Sequence, residues 1–316
     1  MYEKHRNWSL YNQQLVNRGR VLTLFLKDTS LNFDKELRDM NRGKRGKPYE
    51  YPNVLIWAGF AIKCVFHQGY RQLQGFMEDI CKSLGTIIPD FRTLWWRIDH
   101  MSKQGVKFNV PRDTKISIAV DSTGLKLVND GEYRTKKYKK VKSWAKFHTA
   151  ANEATGEAVN LVITKDNVGD CREFKRIIEP VAKITEKVDT DKAYDTEENF
   201  EYCDGKGIYP GIPVKLNASP KGKGPRRDAV RLQLGLHRGP GRPPKDRRDL
   251  SRTEREANQK EWSDSTGHGY RWVIEGFYSR FKRLFGEYVF SRKRKNVEKE
   301  VVMKTNLLNL FITQKM

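Results

Sequence analysis

Ile116-Ser117-Ile118-Ala119-Val120-Asp121 alternates apolar with small or polar residues and closes on a carboxylate. A period of two over this length reads as a β-strand with one buried face. Further along, Ala145–Ala151 and Ala158–Thr164 read as a hairpin across Asn152–Glu157, with Ala154-Thr155-Gly156 at the turn. Asp170 is expected to cap a helix carried by Phe174, Ile177, Ile178 and Val181. Lys187-Val-Asp-Thr-Asp191 reads as a short strand, a helix begins from Thr196, and Ile212–Leu216 reads as another strand. Three antiparallel strands, a helix, then a strand beside the first make a mixed sheet of α/β class. On this reading Asp121 and Asp191 end the first and fourth strands, which can be neighbours.

A third carboxylate sits in His268-Gly-Tyr270-Arg271-Trp-Val-Ile-Glu275-Gly-Phe-Tyr-Ser-Arg-Phe-Lys282. At 100° per residue, His268, Arg271, Glu275 and Lys282 fall within roughly 60° of one another. Ile274, Phe277, Phe281, Leu284, Phe285 and Tyr288 occupy a separate arc of about 100° on the same helix. One flank then packs into a core, and the other carries one carboxylate among cations. Such a carboxylate can hold a divalent metal, and the adjacent Arg and Lys can hold phosphate. The plainer alternative is a solvated helix face with an i,i+4 Arg–Glu pair. Three convergent oxygen ligands suit two Mg²⁺ ions, which is the chemistry of phosphoryl transfer without a side-chain nucleophile. Asp189 and Asp195 are rival choices for the second aspartate.

The net charge is +22, from 61 Lys+Arg against 39 Asp+Glu, in 316 residues. That excess points to a polyanionic partner, most economically nucleic acid. No run of 18 apolar residues, signal peptide or lipidation motif suggests a membrane, and a cytoplasmic protein is expected. Cys64, Cys81, Cys171 and Cys203 form no CxxC pair, so neither a disulfide framework nor a zinc ribbon is indicated. The run Lys221-Gly-Lys-Gly-Pro lacks the Ser/Thr of a phosphate-binding loop, so no nucleotide cofactor is expected.

Four stretches are expected. Residues 1–110 read as an all-helical, helix-turn-helix-like DNA-binding region. Within it Asn53–Val65 is apolar almost all round, and Pro89-Asp90 starts a helix that exposes Arg92, Thr93 and Arg97. The basic run Arg42-Gly-Lys-Arg-Gly-Lys-Pro precedes these helices as a loop. Residues 111–217 form the first part of a catalytic core. Residues 218–262, punctuated by Gly and Pro and rich in Arg and Lys, read as a flexible basic insertion. There Gly241-Arg242-Pro243-Pro244-Lys245 faintly resembles a minor-groove hook. Residues 263–316 complete the core with helices.

Asp121-Ser-Thr-Gly, Asp191-Lys-Ala-Tyr-Asp195 and the Arg271/Glu275/Lys282 helix together resemble the three signature regions of DDE insertion-sequence transposases. That family carries Tyr-x2-Arg-x3-Glu-x6-Lys around its glutamate. Here Arg, Glu and Lys match, while His268 stands at the Tyr position and Tyr270 follows two residues later. Trp144-Ala-Lys146-Phe-His148 resembles the family's second strand. Asn7-Trp8-Ser-x-Tyr11-Asn12 through Gly19, with Pro89-Asp90-x-x-Thr93, is similar to members that have an N-terminal DNA-binding region. The resemblance implies a ribonuclease-H-like core with Asp121, Asp191 and Glu275 as the metal-binding triad for two Mg²⁺, with Mn²⁺ substituting. It implies that Arg271 and Lys282 grip phosphates, and that His268 or Tyr270 lies near the end nucleotide. Double-stranded terminal repeats and target DNA would be the partners, bound by a dimer or larger assembly. A catalytically inactive DNA-binding regulator and a nuclease without strand transfer are the alternatives.

Overall fold

A computed structural model describes residues 33–82, 87–103, 114–127, 144–235, 250–269, 271–291 and 293–313, together with Ser9, Asn12, Gln13, Val16 and Arg248. Most of the Asn7–Gly19 stretch, the Gly241–Lys245 run and Tyr270 lie outside the described residues. The chain divides into two compact units. One comprises Met1–Val106, Leu284–Gly286 and Lys293–Met316; the other comprises Lys107–Arg283 and Glu287–Arg292. The division is not linear, because the last helix groups with the N-terminal ones where a linear reading has it complete the core.

The first unit contains helices α1 (Phe33–Asn41), α2 (Asn53–Val65), α3 (Tyr70–Lys82), α4 (Phe91–Lys103) and α10 (Arg294–Thr313). Helix α2 is its centre and buries Leu55, Ile56, Phe60 and Ile62, as its all-round apolarity predicts. Gly59 lets α3 come close, since a Cβ there would stand 2.9 Å from Met77 Sδ. Asp90 caps α4 as expected, its Oδ1 accepting from the Thr93 amide at 2.7 Å. Lys299 on α10 pairs with Asp99 on α4 at 2.6 Å.

The second unit is a mixed α/β layer built on one six-stranded sheet. Its strands are β1 (Ile116–Leu127), β2 (Trp144–Asn152), β3 (Ala158–Lys165), β4 (Thr185–Asp189), β5 (Tyr209–Gly211) and β6 (Tyr288–Val289). The order is β3-β2-β1-β4-β5, with β6 beside the far end of β1. β1, β2 and β3 pair antiparallel, and β1 pairs parallel to β4. The hairpin and the neighbouring first and fourth strands therefore lie as the sequence suggests. Ile118, Val120, Ala150 and Val162 pack one sheet face against Phe174 and Ile177 of α5 (Asp170–Ile178). On the other face Phe147 meets Tyr278 and Phe281 of α9 (Trp272–Phe285), with ring centroids 5.6 and 5.2 Å apart. Helices thus cover both faces of the sheet.

β1 does not stop at Asp121 but runs on to Leu127, because Ser122–Leu125 keep their ladder with β2. β4 ends at Asp189, two residues short of Asp191. The residue capping α5 is Gly169, and Asp170 is the helix's first residue. Ile212–Leu216 is not a strand, because side chains satisfy its backbone instead. Gln233 accepts from the Val214 amide at 2.9 Å and donates to the Ile212 carbonyl at 3.0 Å, and Asp195 accepts from the Lys215 amide at 2.8 Å.

The expected flexible insertion contains two helices, α7 (Pro225–Gln233) and α8 (Arg252–Thr266), after α6 (Glu197–Lys206). Arg226 of α7 grips the buried Asp195 with two bonds, at 2.6 and 3.0 Å. Helix α8 opens on a reciprocal cap between Ser251 and Glu254 and stops at Gly267, where φ is +63°. Among the described residues no helix is long and apolar enough to cross a membrane.

Candidate active site

Two aspartates meet beside β1. The parallel register ends at Ala119 and Asp189, and Asp121 and Asp191 lie two residues beyond each, close enough for their charges to interact. On its β4 side, β1 has no strand partner among the described residues between Ala119 and Lys126, where pairing with β6 begins. Asp121 stands in that gap, half-buried, its Oδ1 accepting from the Ser122 amide at 2.8 Å. Asp191 caps a short 3-10 turn over Lys192–Tyr194, its Oδ1 accepting from the Ala193 amide at 2.8 Å. Burial pushes the Asp121 acid up to about 6; the Ser122 amide opposes this, the Asp191 charge adds to it, and Arg271 draws it down.

Glu275 occupies the first turn of α9 and is 54% exposed at its side chain. Arg271 Nη2 lies 2.8 Å from its Oε1, so the anticipated i,i+4 pair is formed. The two aspartates come together, whereas Glu275 is turned to Arg271. Among the described residues no three His, Cys, Asp or Glu side chains are arranged to hold a metal ion. Lys282 lies on the same helix and is half-buried.

His268 is displaced from its expected place. Gly267 ends α8, so His268 sits in the connection and α9 begins only at Trp272. Its ring packs on Trp262 at 4.5 Å, and its Nε2 is 3.3 Å from the carbonyl of Thr190, the residue before Asp191. Lys187 reaches the same connection, donating to Gly267 O at 2.8 Å and to Asp189 at 3.0 Å. The α8–α9 turn is therefore fastened to the strand end that leads to Asp191.

The rival aspartates have other partners. Asp195 is held by Arg226 and the Lys215 amide. Asp189 is fully buried against Lys187, close enough to Glu153 for their charges to interact; Glu153 Oε1 and Asp189 Oδ1 are buried with no hydrogen-bond partner. Gly211 makes room for this pair, since a Cβ there would fall 2.0 Å from Asp189 Oδ1. Of the residues expected to read DNA, Arg97 is buried and donates to Tyr51 O and Asn53 Oδ1 at 2.9 and 2.6 Å. The Thr93 amide is spent in the cap of α4, and Arg92 is exposed. Arg97 is thus a structural strut, because its guanidinium closes the start of α2.

Tyr278 belongs to the site although the sequence pattern does not single it out. Its hydroxyl donates to Asp121 O at 2.6 Å and approaches Phe147 O at 3.2 Å, which sets α9 over the aspartate strand. The available signal was a single hydroxyl beside the apolar arc, three residues after Glu275.

The fold is a mixed sheet covered by helices on both faces, with Asp121 and Asp191 beside its central strand and the Arg271–Glu275 pair at the start of α9. A family model described as a transposase DDE domain matches residues 113–310, and a second model with the same description matches residues 16–130. The chain belongs to the DDE transposases. It also aligns with a structure described as the piggyBac transposase synaptic complex with hairpin DNA, at 10% identity and a TM-score of 0.42, covering 94% of this chain and 75% of that one.

Proposed function

We propose that this protein is a metal-dependent DNA transposase with a ribonuclease-H-like core. It would cut an element at its terminal inverted repeats and join the freed 3′-OH to target DNA. The observation that supports this reading is the nearness of Asp121, on β1, to Asp191, just past the end of the parallel strand β4, within reach of the Arg271 charge. Two aspartates whose mutual repulsion helps raise Asp121 suit a hard divalent cation. Asp121, Asp191 and Glu275 would hold two Mg²⁺ ions, or Mn²⁺ in their place, and Glu275 would exchange its pairing with Arg271 to do so. Bound there, the metal supplies polarisation of the scissile phosphate and of the attacking oxygen.

Arg271, once released, would face phosphate, with Lys282 further along the same helix. His268 would hold the Thr190 carbonyl and so steady Asp191, while Tyr270 would be left to approach the end nucleotide. The +22 charge would draw duplex DNA to a dimer or larger assembly, in the cytoplasm at the nucleoid.

Labelled element-end DNA, a target plasmid and Mg²⁺ form the test. Nicked and joined products are expected from the native protein. Glu275→Gln should keep end binding and abolish both products. Normal nicking by that variant would remove Glu275 from the site.

A further inference from the structure

The outer face of α4 carries chemistry that the sheet site does not use. Trp95 and Trp96 are 54% and 43% exposed at adjacent positions, where large aromatic rings are ordinarily covered. Trp96 is stacked on His100, with ring centroids 3.8 Å apart. No ring among the described residues stacks on Trp95. It borders a cleft of about 380 Å³ between α3 and α4, shared with Tyr70, Arg71, Gln72, Phe91 and Arg92. The guanidinium carbons of Arg71 and Arg92 lie 4.8 and 5.7 Å from the centre of the Phe91 ring. Two cations therefore flank the aromatic wall of the cleft.

Exposed π faces interleaved with guanidinium groups match single-stranded nucleic acid: bases stack on the rings and phosphates pair with the cations. A helix that reads the major groove offers polar side chains to base edges instead. On α4 that role is closed to Arg97, which is buried against Tyr51 and Asn53. Among its described side chains, the helix leaves exposed Arg92 and two indoles.

We propose that the α3–α4 cleft binds unpaired nucleobases of DNA, with Trp95 as the stacking surface and Arg71 and Arg92 holding the flanking phosphates. This rests on the transposase reading and adds to it a second nucleic-acid site, in the helical unit.

The test uses the full chain and an oligothymidine of about 12 nucleotides carrying one 2-aminopurine, beside a duplex of equal length. Single-stranded probe should bind with strong quenching of 2-aminopurine. Trp95→Ala should weaken that binding roughly tenfold and remove the quenching, while Trp95→Phe keeps most of both. Arg71→Ala should weaken binding and flatten its salt dependence with quenching retained at saturation. Unchanged thermal melts would show that the variants fold. Native quenching by Trp95→Ala would overturn the proposal. So would a change in the sedimentation of DNA-free Trp95→Ala, which would make the face a contact between copies. Element-end cleavage, measured in parallel, reads Glu275, so either site can fail without the other.

Discussion

The Tyr278 hydroxyl donates to the Asp121 carbonyl at 2.6 Å, fixing the helix of Glu275 to the strand of the first aspartate. Tyr278→Phe keeps the ring against Phe147 and removes the hydroxyl with its contacts to the carbonyls of Asp121 and Phe147. A stability loss of about 1 kcal/mol is expected from the lost buried hydrogen bond. End cleavage should fall further than this loss explains, because Glu275 is three residues away on the same helix. Urea melts and single-turnover cleavage would be compared; cleavage that merely tracks stability would reduce Tyr278 to a packing residue.

Arg271 and Glu275 form an exposed i,i+4 pair, which stabilises a helix by roughly 0.2–0.5 kcal/mol. Arg271→Ala should therefore barely move the melting curve. Its effect on strand cleavage should be on the order of 10²-fold or more if the guanidinium meets phosphate in the transition state. Intact cleavage rates would return the pair to ordinary helix surface.

Glu153 gives a pH signature. Burial, then the Asp189 charge, pushes its acid up to about 8. An acid raised above its unfolded value of about 4.3 holds its proton more tightly when folded. Its stabilising contribution is complete below about pH 4 and is lost as pH climbs through about 8. The native protein should weaken between pH 6 and 9, and Glu153→Gln should flatten that decline. Urea midpoints at both pH values decide it; parallel curves for the two proteins would rule out a raised Glu153 acid.

Arg226→Met leaves Asp195 charged and buried without its partner, a change that costs about 3–5 kcal/mol in comparable settings. Adding Asp195→Asn should recover part of the loss. Chemical denaturation of the single and double variants measures the coupling, and simple additivity would contradict it.

Much of the sheet is legible in the chain. Ile116–Asp121 and the Ala145–Thr164 hairpin carry the period of two that a half-buried strand requires, and the parallel pairing of β1 with β4 follows from the helix between them. Where a strand ends is less legible. Nothing in Ser122-Thr123-Gly124-Leu125 stops the ladder at Asp121, and Ile212–Leu216 has strand-like composition but spends its amides and carbonyls on Gln233 and Asp195. The Ser251-x-x-Glu254 cap of α8 was present in the sequence, yet the surrounding Arg and Lys made the stretch read as a loop. Gly267 also broke a helical face that residue angles alone had carried from His268 to Lys282. The pairing of Asp121 with Asp191 is accessible from strand order. The turn of Glu275 toward Arg271 is not, because it depends on where one helix begins.

Helices α7 and α8 are fastened to each other: Asn258 of α8 donates to the carbonyl of Leu234, the residue after α7, at 3.1 Å. Helix α7 is thus tied at both ends, to Asp195 through Arg226 at its start and to Asn258 at its finish, so α7 and α8 should resist unfolding as one unit.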